Sequence, residues 1–369
     1  MLVLSLLLAL PPARADDDDD DHAGPAPAVS LSGFLEGWAV HDSTGTTLSL
    51  RRAELEPEIQ ISPQLGADLE LEVENATDFE LEEAFVHANP WKALELSAGI
   101  VLVPVGSVNL SHVPTEFDGV DRPLLDQTLI PTTWRELGVL GRYALSPRWS
   151  VTAGAVAGPV GSGLRPWSLA GARGQGLPSS AADLAATGRL SWRNLDEDGD
   201  EGVELGLSGF GGGVSGGDAS LDGARIAIGE ADLRVRLVGF DFRAEAAGFS
   251  LTGADRVTEA FRALDPSVDA MGSLGAGAQA SLSYDLLRTV QSDQQLRAFA
   301  RYEALNPRLQ VPSDEADGGD SYAGQYLCAG LGWWPQPRLA IKADATFLLS
   351  GTALPGSDNK LSLGVDASF

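Results

Sequence analysis

The segment Arg51-Arg52-Ala53-Glu54-Leu55-Glu56-Pro57-Glu58-Ile59-Gln60-Ile61 alternates in polarity, and Ala67-Asp68-Leu69-Glu70-Leu71-Glu72-Val73-Glu74 repeats the pattern. In the first, Ala53, Leu55, Pro57, Ile59 and Ile61 share one face, and Arg52, Glu54, Glu56, Glu58 and Gln60 share the other. In the second, Ala67, Leu69, Leu71 and Val73 oppose Asp68, Glu70, Glu72 and Glu74. A period of two describes a strand with one apolar and one wet side. The texture recurs to the end of the chain. Phe240, Phe242, Ala244 and Ala246 oppose Asp241, Arg243 and Glu245, while Leu296, Ala298, Ala300 and Tyr302 oppose Arg297, Arg301 and Glu303. Leu339 to Phe347 and Leu361 to Phe369 alternate in the same way. Helical periodicity is confined to Thr258–Leu264 and Ala181–Ala186, read as short loop helices.

Composition narrows the setting of these strands. The 369 residues carry 52 acidic and 25 basic side chains, a formal net charge of −27, and a single cysteine, Cys328. That balance excludes nucleic acid as a partner, because phosphates could not be neutralised in number. It also opposes docking on an anionic lipid surface. One cysteine excludes a disulfide framework and a multi-cysteine zinc site. No stretch approaches the roughly 20 apolar residues of a membrane-spanning helix.

Connections fall into tight turns, such as Asn194–Gly202, and long loops, Pro104–Trp134, Pro159–Ala186, Gly253–Gly275 and Asn306–Ser321. Short turns at one end and long loops at the other are what an outer-membrane barrel presents. Trp38, Trp91, Trp149, Trp192, Trp333 and Trp334 stand near strand ends, where an interfacial girdle needs aromatics. The expected fold is therefore all-β: a transmembrane antiparallel up-and-down barrel. Residues 1–15 read as an export signal ending in Ala13-Arg14-Ala15, residues 16–28 as an acidic and Pro/Ala-rich disordered segment, and 29–369 as one barrel domain. At the C-terminus, Ser362, Gly364, Ala367 and Phe369 fit a polar-x-Gly-x-x-apolar-x-aromatic pattern, similar to the signal by which barrel assembly machinery recognises its substrates.

Several pieces carry a family likeness: Leu50-Arg51-Arg52-Ala53-Glu54-Leu55, Leu81-Glu82-Glu83-Ala84-Phe85-Val86, Leu96-Ser97-Ala98-Gly99 leading to Val103-Pro104-Val105-Gly106, and Trp134-Arg135-Glu136-Leu137-Gly138-Val139. Phe299-Ala300-Arg301-Tyr302-Glu303 and Ala329-Gly330-Leu331-Gly332-Trp333-Trp334-Pro335 follow later. Together the chain resembles the phosphate-selective porin O and P family of general porins. The resemblance implies about 16 strands, a homotrimer, a long loop folded into the lumen, and a Gram-negative outer-membrane location. Phosphate selectivity is not carried over, because the only lysines are Lys92, Lys342 and Lys360. Arg51, Arg52, Arg122, Arg135, Arg165 and Arg173 remain as a local basic spot.

The expected pore lining is Arg52, Glu54, Glu56, Glu58, Asp68, Glu70, Glu72, Glu74, Arg301 and Glu303. In the loop Pro104–Trp134, Asp118, Asp121, Arg122 and Asp126, with Arg135 on the next strand, are the expected constriction. Opposed carboxylates and guanidinium groups would set a transverse field there. Seven carboxylates against Arg52 on adjacent strands predict a cation-preferring wall. The four histidines, His22, His41, His87 and His112, lie in no metal-ligand spacing, and Ser111-His112 adjacency is not a triad. Asp196, Asp198 and Asp200 are similar to half a calcium loop but lack its closing glutamate, since Leu207 stands at that position. The function expected is passive diffusion of small hydrophilic solutes and ions, without enzymatic activity or cofactor. The alternative is a structural or adhesive barrel that binds a partner through its long loops, for which large apolar residues inside the barrel would speak.

Overall fold

The same alternation that puts Ala227, Ala231, Leu233, Val235 and Leu237 on one side of a strand puts Ile226, Ile228, Glu230, Asp232, Arg234 and Arg236 on the other. Sixteen such strands close on themselves in a computed structural model that describes residues 28–131, 133–174, 183–196, 201–290, 292–312 and 321–369. They are β1 Ala28–Asp42, β2 Gly45–Ser62, β3 Leu65–Glu74, β4 Asp78–Trp91, β5 Leu94–Leu102, β6 Arg135–Ala144, β7 Trp149–Ala157 and β8 Leu184–Leu195. The second half comprises β9 Gly202–Gly213, β10 Arg225–Leu237, β11 Phe240–Thr252, β12 Leu274–Asp285, β13 Gln295–Gln310, β14 Gly324–Gln336, β15 Leu339–Gly351 and β16 Lys360–Ser368. The export-signal reading, residues 16–27 of the acidic segment, His22, Asp198 and Asp200 lie outside the described residues. Ala28, expected in that segment, already pairs with Gln60.

Each strand is antiparallel to its neighbour in sequence, and β16 returns to β1 with Phe34 opposite Ser368 and His41 opposite Leu361. Closure leaves no unpaired sheet edge, the condition for crossing lipid as strands. Phe369 completes the seam: its backbone N–H donates to Gly33 O at 3.0 Å. The Phe369 ring comes so near Gly33 that a Cβ there would lie 2.9 Å from it. Outward-facing Leu48, Phe79, Leu207 and Leu363 are exposed, as an apolar band requires.

From β5 onward, connections leaving odd-numbered strands are long (103–134, 158–183, 214–224, 253–273, 311–323 and 352–359), whereas 92–93, 238–239 and 337–338 at the opposite end are two-residue turns. Near that short-turn rim, outward rings pair: Trp149 with Trp192 at 6.4 Å and Phe240 with Tyr284 at 4.5 Å. Two of the six tryptophans read as girdle depart from it. Trp38 faces inward beneath Arg51, whose guanidinium lies 4.6 Å from its ring, and Trp334 is buried inside, donating to Thr115 O at 2.9 Å. Adjacent tryptophans on one strand must point to opposite sides, so Trp333 alone can be interfacial.

Smaller departures concern element limits. The helix near Thr258 begins at Ala254 and ends at Arg262. Of Ala181–Ala186, residues 181 and 182 are outside the described residues and Leu184–Ala186 opens β8 rather than forming a helix. β13 continues through Asn306 to Gln310, because Asn306 pairs with Ala276, so the following loop starts later than expected.

Candidate functional site: a loop folded across the barrel

The connection 103–134 turns inward because its two ends are stapled together. Val103 N–H donates to Trp134 O at 2.8 Å. The Asn109 side chain donates to Val103 O and accepts from Trp134 N–H, both at 2.7 Å. Trp134 itself is buried against Phe210, with ring centroids 4.4 Å apart. Past this clasp the loop forms two short helices, α1 Ser107–Leu110 and α2 Leu124–Thr128.

Its residues then bind walls far apart in sequence. Asp121 pairs with Arg51 on β2 at 2.6 Å and with Lys360 on β16. Asp118 pairs with Arg297 on β13 at 3.5 Å. Val120 N–H donates to Asp344 at 2.6 Å, and Leu125 N–H donates to Glu303 at 3.0 Å. Lys342 donates to Pro114 O and Gly119 O while pairing with Asp366 at 2.9 Å. Gly364, expected to belong to a C-terminal assembly signal, faces inward and seats Val120, whose side chain would lie 3.1 Å from a Cβ there.

The expected constriction charges are all in or beside this loop, but they do not oppose one another across a gap. Asp118 and Asp121 are engaged in holding the loop to the barrel, and Arg135 ties β6 to β4. Burial raises the Asp121 carboxyl, yet Arg51 and Lys360 outweigh it and hold it at about 2. Burial, then Arg52 and Arg51, pull the Arg122 guanidinium down to about 9. Burial and the carboxylates of Glu303 and Glu230 push Asp126 well above its ordinary range. Arg135 is buried and clamps Glu80 at 2.5 Å together with Glu82. Arg301 pairs with its strand neighbour Glu303 at 2.9 Å and donates to Asp121 O.

The acidic face of β2 and β3 is likewise divided. Glu54, Glu70 and Glu72 are buried behind the loop with Arg52, which pairs with Glu36 at 2.6 Å. Glu56 and Glu58 stay exposed against Ser32 and Ser30, Asp68 meets His87 at 2.7 Å, and Glu74 is half-buried. The wall of seven free carboxylates expected from alternation is therefore mostly covered or paired. Of the expected basic spot, Arg51, Arg52, Arg122 and Arg173 share a cavity of 150 Å³ with Glu72, Glu74, Glu80 and Glu82. Arg165 lies elsewhere, its guanidinium 5.3 Å from the Phe261 ring.

β-Bulges decide several of these positions. The register shift at Glu36/Gly37 leaves Arg51 as the extra residue of β2, so Arg51 and Arg52 both reach inward. A second shift at Glu70/Leu71 makes Glu82 the extra residue of β4. It brings Glu82 beside Glu54, Glu70 and His112, so the histidine dismissed for its spacing stands in a carboxylate cluster. Ser111, its neighbour, bonds Glu116 instead. In the acidic turn, Asp196 Oδ1 accepts from Glu201 N–H at 3.1 Å and closes a hairpin.

The larger open space, a cavity of 700 Å³, lies on the other side of the loop and reaches the short-turn rim. Its walls include Lys92, Arg142, Arg148, Arg189, Arg193, Arg234 and Arg243 against Glu95, Glu116, Glu204 and Asp232. Seven cationic and four anionic side chains line it, and Asp241 and Glu230 pair with Arg234, Arg243 and Arg189 from just behind that lining. Sequence alternation alone could have found Arg142 and Arg193; which wall the loop leaves open could not be read locally. Toward the long-loop end, Phe210, Ile226, Ile228, Phe249 and Leu251 line the interior and pack with Leu164, Leu221, Val257, Phe261 and Met271 from the loops.

No family model matches the chain. It is 26% identical over 332 residues to an uncharacterized protein of Aquifex aeolicus, covering 86% of this chain and 74% of that protein. Among solved structures it is similar to OmpF of Salmonella typhi in complex with daunomycin, at a TM-score of 0.63 and 12% identity, with 92% of this chain and 97% of that chain covered. It is also similar to an anion-selective porin from Comamonas acidovorans, at a TM-score of 0.56 and 12% identity over 93% of this chain and 100% of that chain. The barrel is thus porin-like in fold.

Proposed function

We propose that this chain is an exported Gram-negative outer-membrane porin that passes small hydrophilic solutes passively and favours anions. The carrying observation is the 700 Å³ cavity beside the loop, where cationic side chains outnumber anionic ones by seven to four. A fixed charge in a narrow aqueous space bounded by low dielectric concentrates ions of opposite sign. This replaces the cation preference expected from the acidic face, on which Glu54, Glu70 and Glu72 are buried and Asp68 is paired with His87. The O and P porin resemblance rests on the sequence pieces alone. Trimerisation through part of the outward apolar face, and recognition of Gly364, Ala367 and Phe369 by the assembly machinery, belong to the same reading, and no cofactor is needed for diffusion. Outer-membrane lipid and permeating ions are the remaining partners.

A second reading is favoured by the apolar packing of the long loops against Phe210, Ile226, Ile228, Phe249 and Leu251. A barrel sealed there would be structural or adhesive and would use its loops to bind a partner. Planar-bilayer recording separates the two. Stepwise conductance with an anion-favouring reversal potential supports the channel, and absence of steps from correctly folded barrel supports the sealed form.

A further inference from the structure

We propose that Glu54, Glu70, Glu82 and His112 bind one divalent transition-metal ion that ties the inward loop to the β2–β4 wall. The proposal goes beyond the channel reading and does not depend on it. Three adjacent strands each contribute one carboxylate, the third turned in by the β4 bulge, and the loop contributes the imidazole. One ligand atom from each residue lies within 4.8 Å of the others. His112 Nε2 is 3.1 Å from Glu70 Oε1, 3.8 Å from Glu54 Oε2 and 3.9 Å from Glu82 Oε2.

The outer atoms of the cluster are already engaged, which aims the inner ones at a common centre. Glu82 Oε1 is held by Arg135, so Oε2 faces the cluster. His112 Nδ1 lies 3.4 Å from Asn109 O, a group that only accepts. With the ring hydrogen on Nδ1, Nε2, which lies within hydrogen-bond reach of Glu70 Oε1, is free to offer its lone pair to an ion shared with the three carboxylates. That is the arrangement of a metal-ligating histidine fixed by a backbone carbonyl. Glu54 supplies the independent sign of a missing partner. Its side chain is 4% exposed, and its Oε2 has no hydrogen-bond partner. Acceptors buried face to face are costly unless a positive species lies between them.

A divalent ion answers the charge and the donor set together. Three carboxylates and an ion of charge two leave one negative charge, beside the guanidinium groups of Arg52 and Arg135. Imidazole with carboxylates suits zinc and its neighbours, whereas calcium and magnesium prefer all-oxygen shells. Metal–ligand lengths of roughly 2.0–2.2 Å require only a modest contraction of the cluster.

The test uses the full barrel in detergent, stripped with a chelator and titrated with ZnCl2 and CaCl2 by calorimetry. One Zn²⁺ per chain should bind more tightly than Ca²⁺, and Glu54→Gln and His112→Ala should each weaken Zn²⁺ binding by at least about tenfold. Absence of saturable Zn²⁺ binding by the wild type, equal affinity for Ca²⁺, or undiminished binding in both variants overturns the proposal; the first outcome assigns the cluster to shared protons. Should a variant fail to fold, CoCl2 loaded into the wild type decides alone. Intense visible bands of a low-coordinate site support the proposal, and the pale spectrum of aqueous Co²⁺ refutes it.

Discussion

Replacing Arg142 and Arg193 by glutamine should remove much of the preference for anions. Both side chains line the 700 Å³ cavity, and neither has a carboxylate partner among the described residues. Arg189, Arg234 and Arg243, by contrast, are paired with Asp232 or Asp241. An ion passing about 6 Å from one guanidinium feels roughly 0.7 kcal/mol at the dielectric constant of water and about 3 kcal/mol at an effective value of 20. Even the lower figure is about a threefold bias per residue and ion, so the pair enriches chloride about tenfold and depletes potassium about tenfold. The assay is the reversal potential across a tenfold KCl gradient, where perfect selectivity would give roughly 59 mV. Recording at 0.01 against 0.1 M keeps the Debye length at about 10 Å or more, and raising the salt should weaken the effect. A cation-preferring wild type, or a double variant whose reversal potential does not move, would refute the reasoning.

Removing Phe369 should lower the amount of folded, heat-modifiable barrel in the membrane, since its N–H to Gly33 and its ring over that glycine complete the seam; normal membrane levels of the truncated chain would contradict this. Asp121→Asn should cost about 3 kcal/mol of stability, read as an earlier unfolding midpoint, because Arg51 and Lys360 lose a buried partner. With Asp121 held at about 2, below an ordinary aspartate near about 3.9, its contribution is complete above that ordinary value and is lost as pH falls through about 2. Unit conductance should therefore stay constant from about pH 7 to 4.5 and change only below about 3; a transition at pH 5 would exclude this clasp as the controlling contact. Shortening the loop between Ser111 and Leu124 should enlarge unit conductance in a barrel that still folds, and unchanged conductance would mean that the loop does not limit the passage.

The period-two texture was sufficient for the strands, their two faces and the separation of short turns from long loops. Alternation is a property of extended backbone itself, and any segment that carries it must bury one side. The long loop was legible too, as a stretch without periodicity between β5 and β6. Where that loop lies was not. Its partners, Arg51, Arg297, Glu303, Asp344 and Lys360, come from both ends of the chain and meet it only because the sheet closes. Consecutive charged pairs were equally illegible, since strict alternation sends Arg51 away from Arg52, and bulges set by partner strands bring Arg51 and Glu82 inside. The sequence alone therefore determined, apart from the bulged Arg51 and Glu82, which strands bring charges to the interior. Tertiary structure decided which of them meet water, because the loop covers the acidic face of β2 to β4 and leaves the arginines of β6 to β11 open.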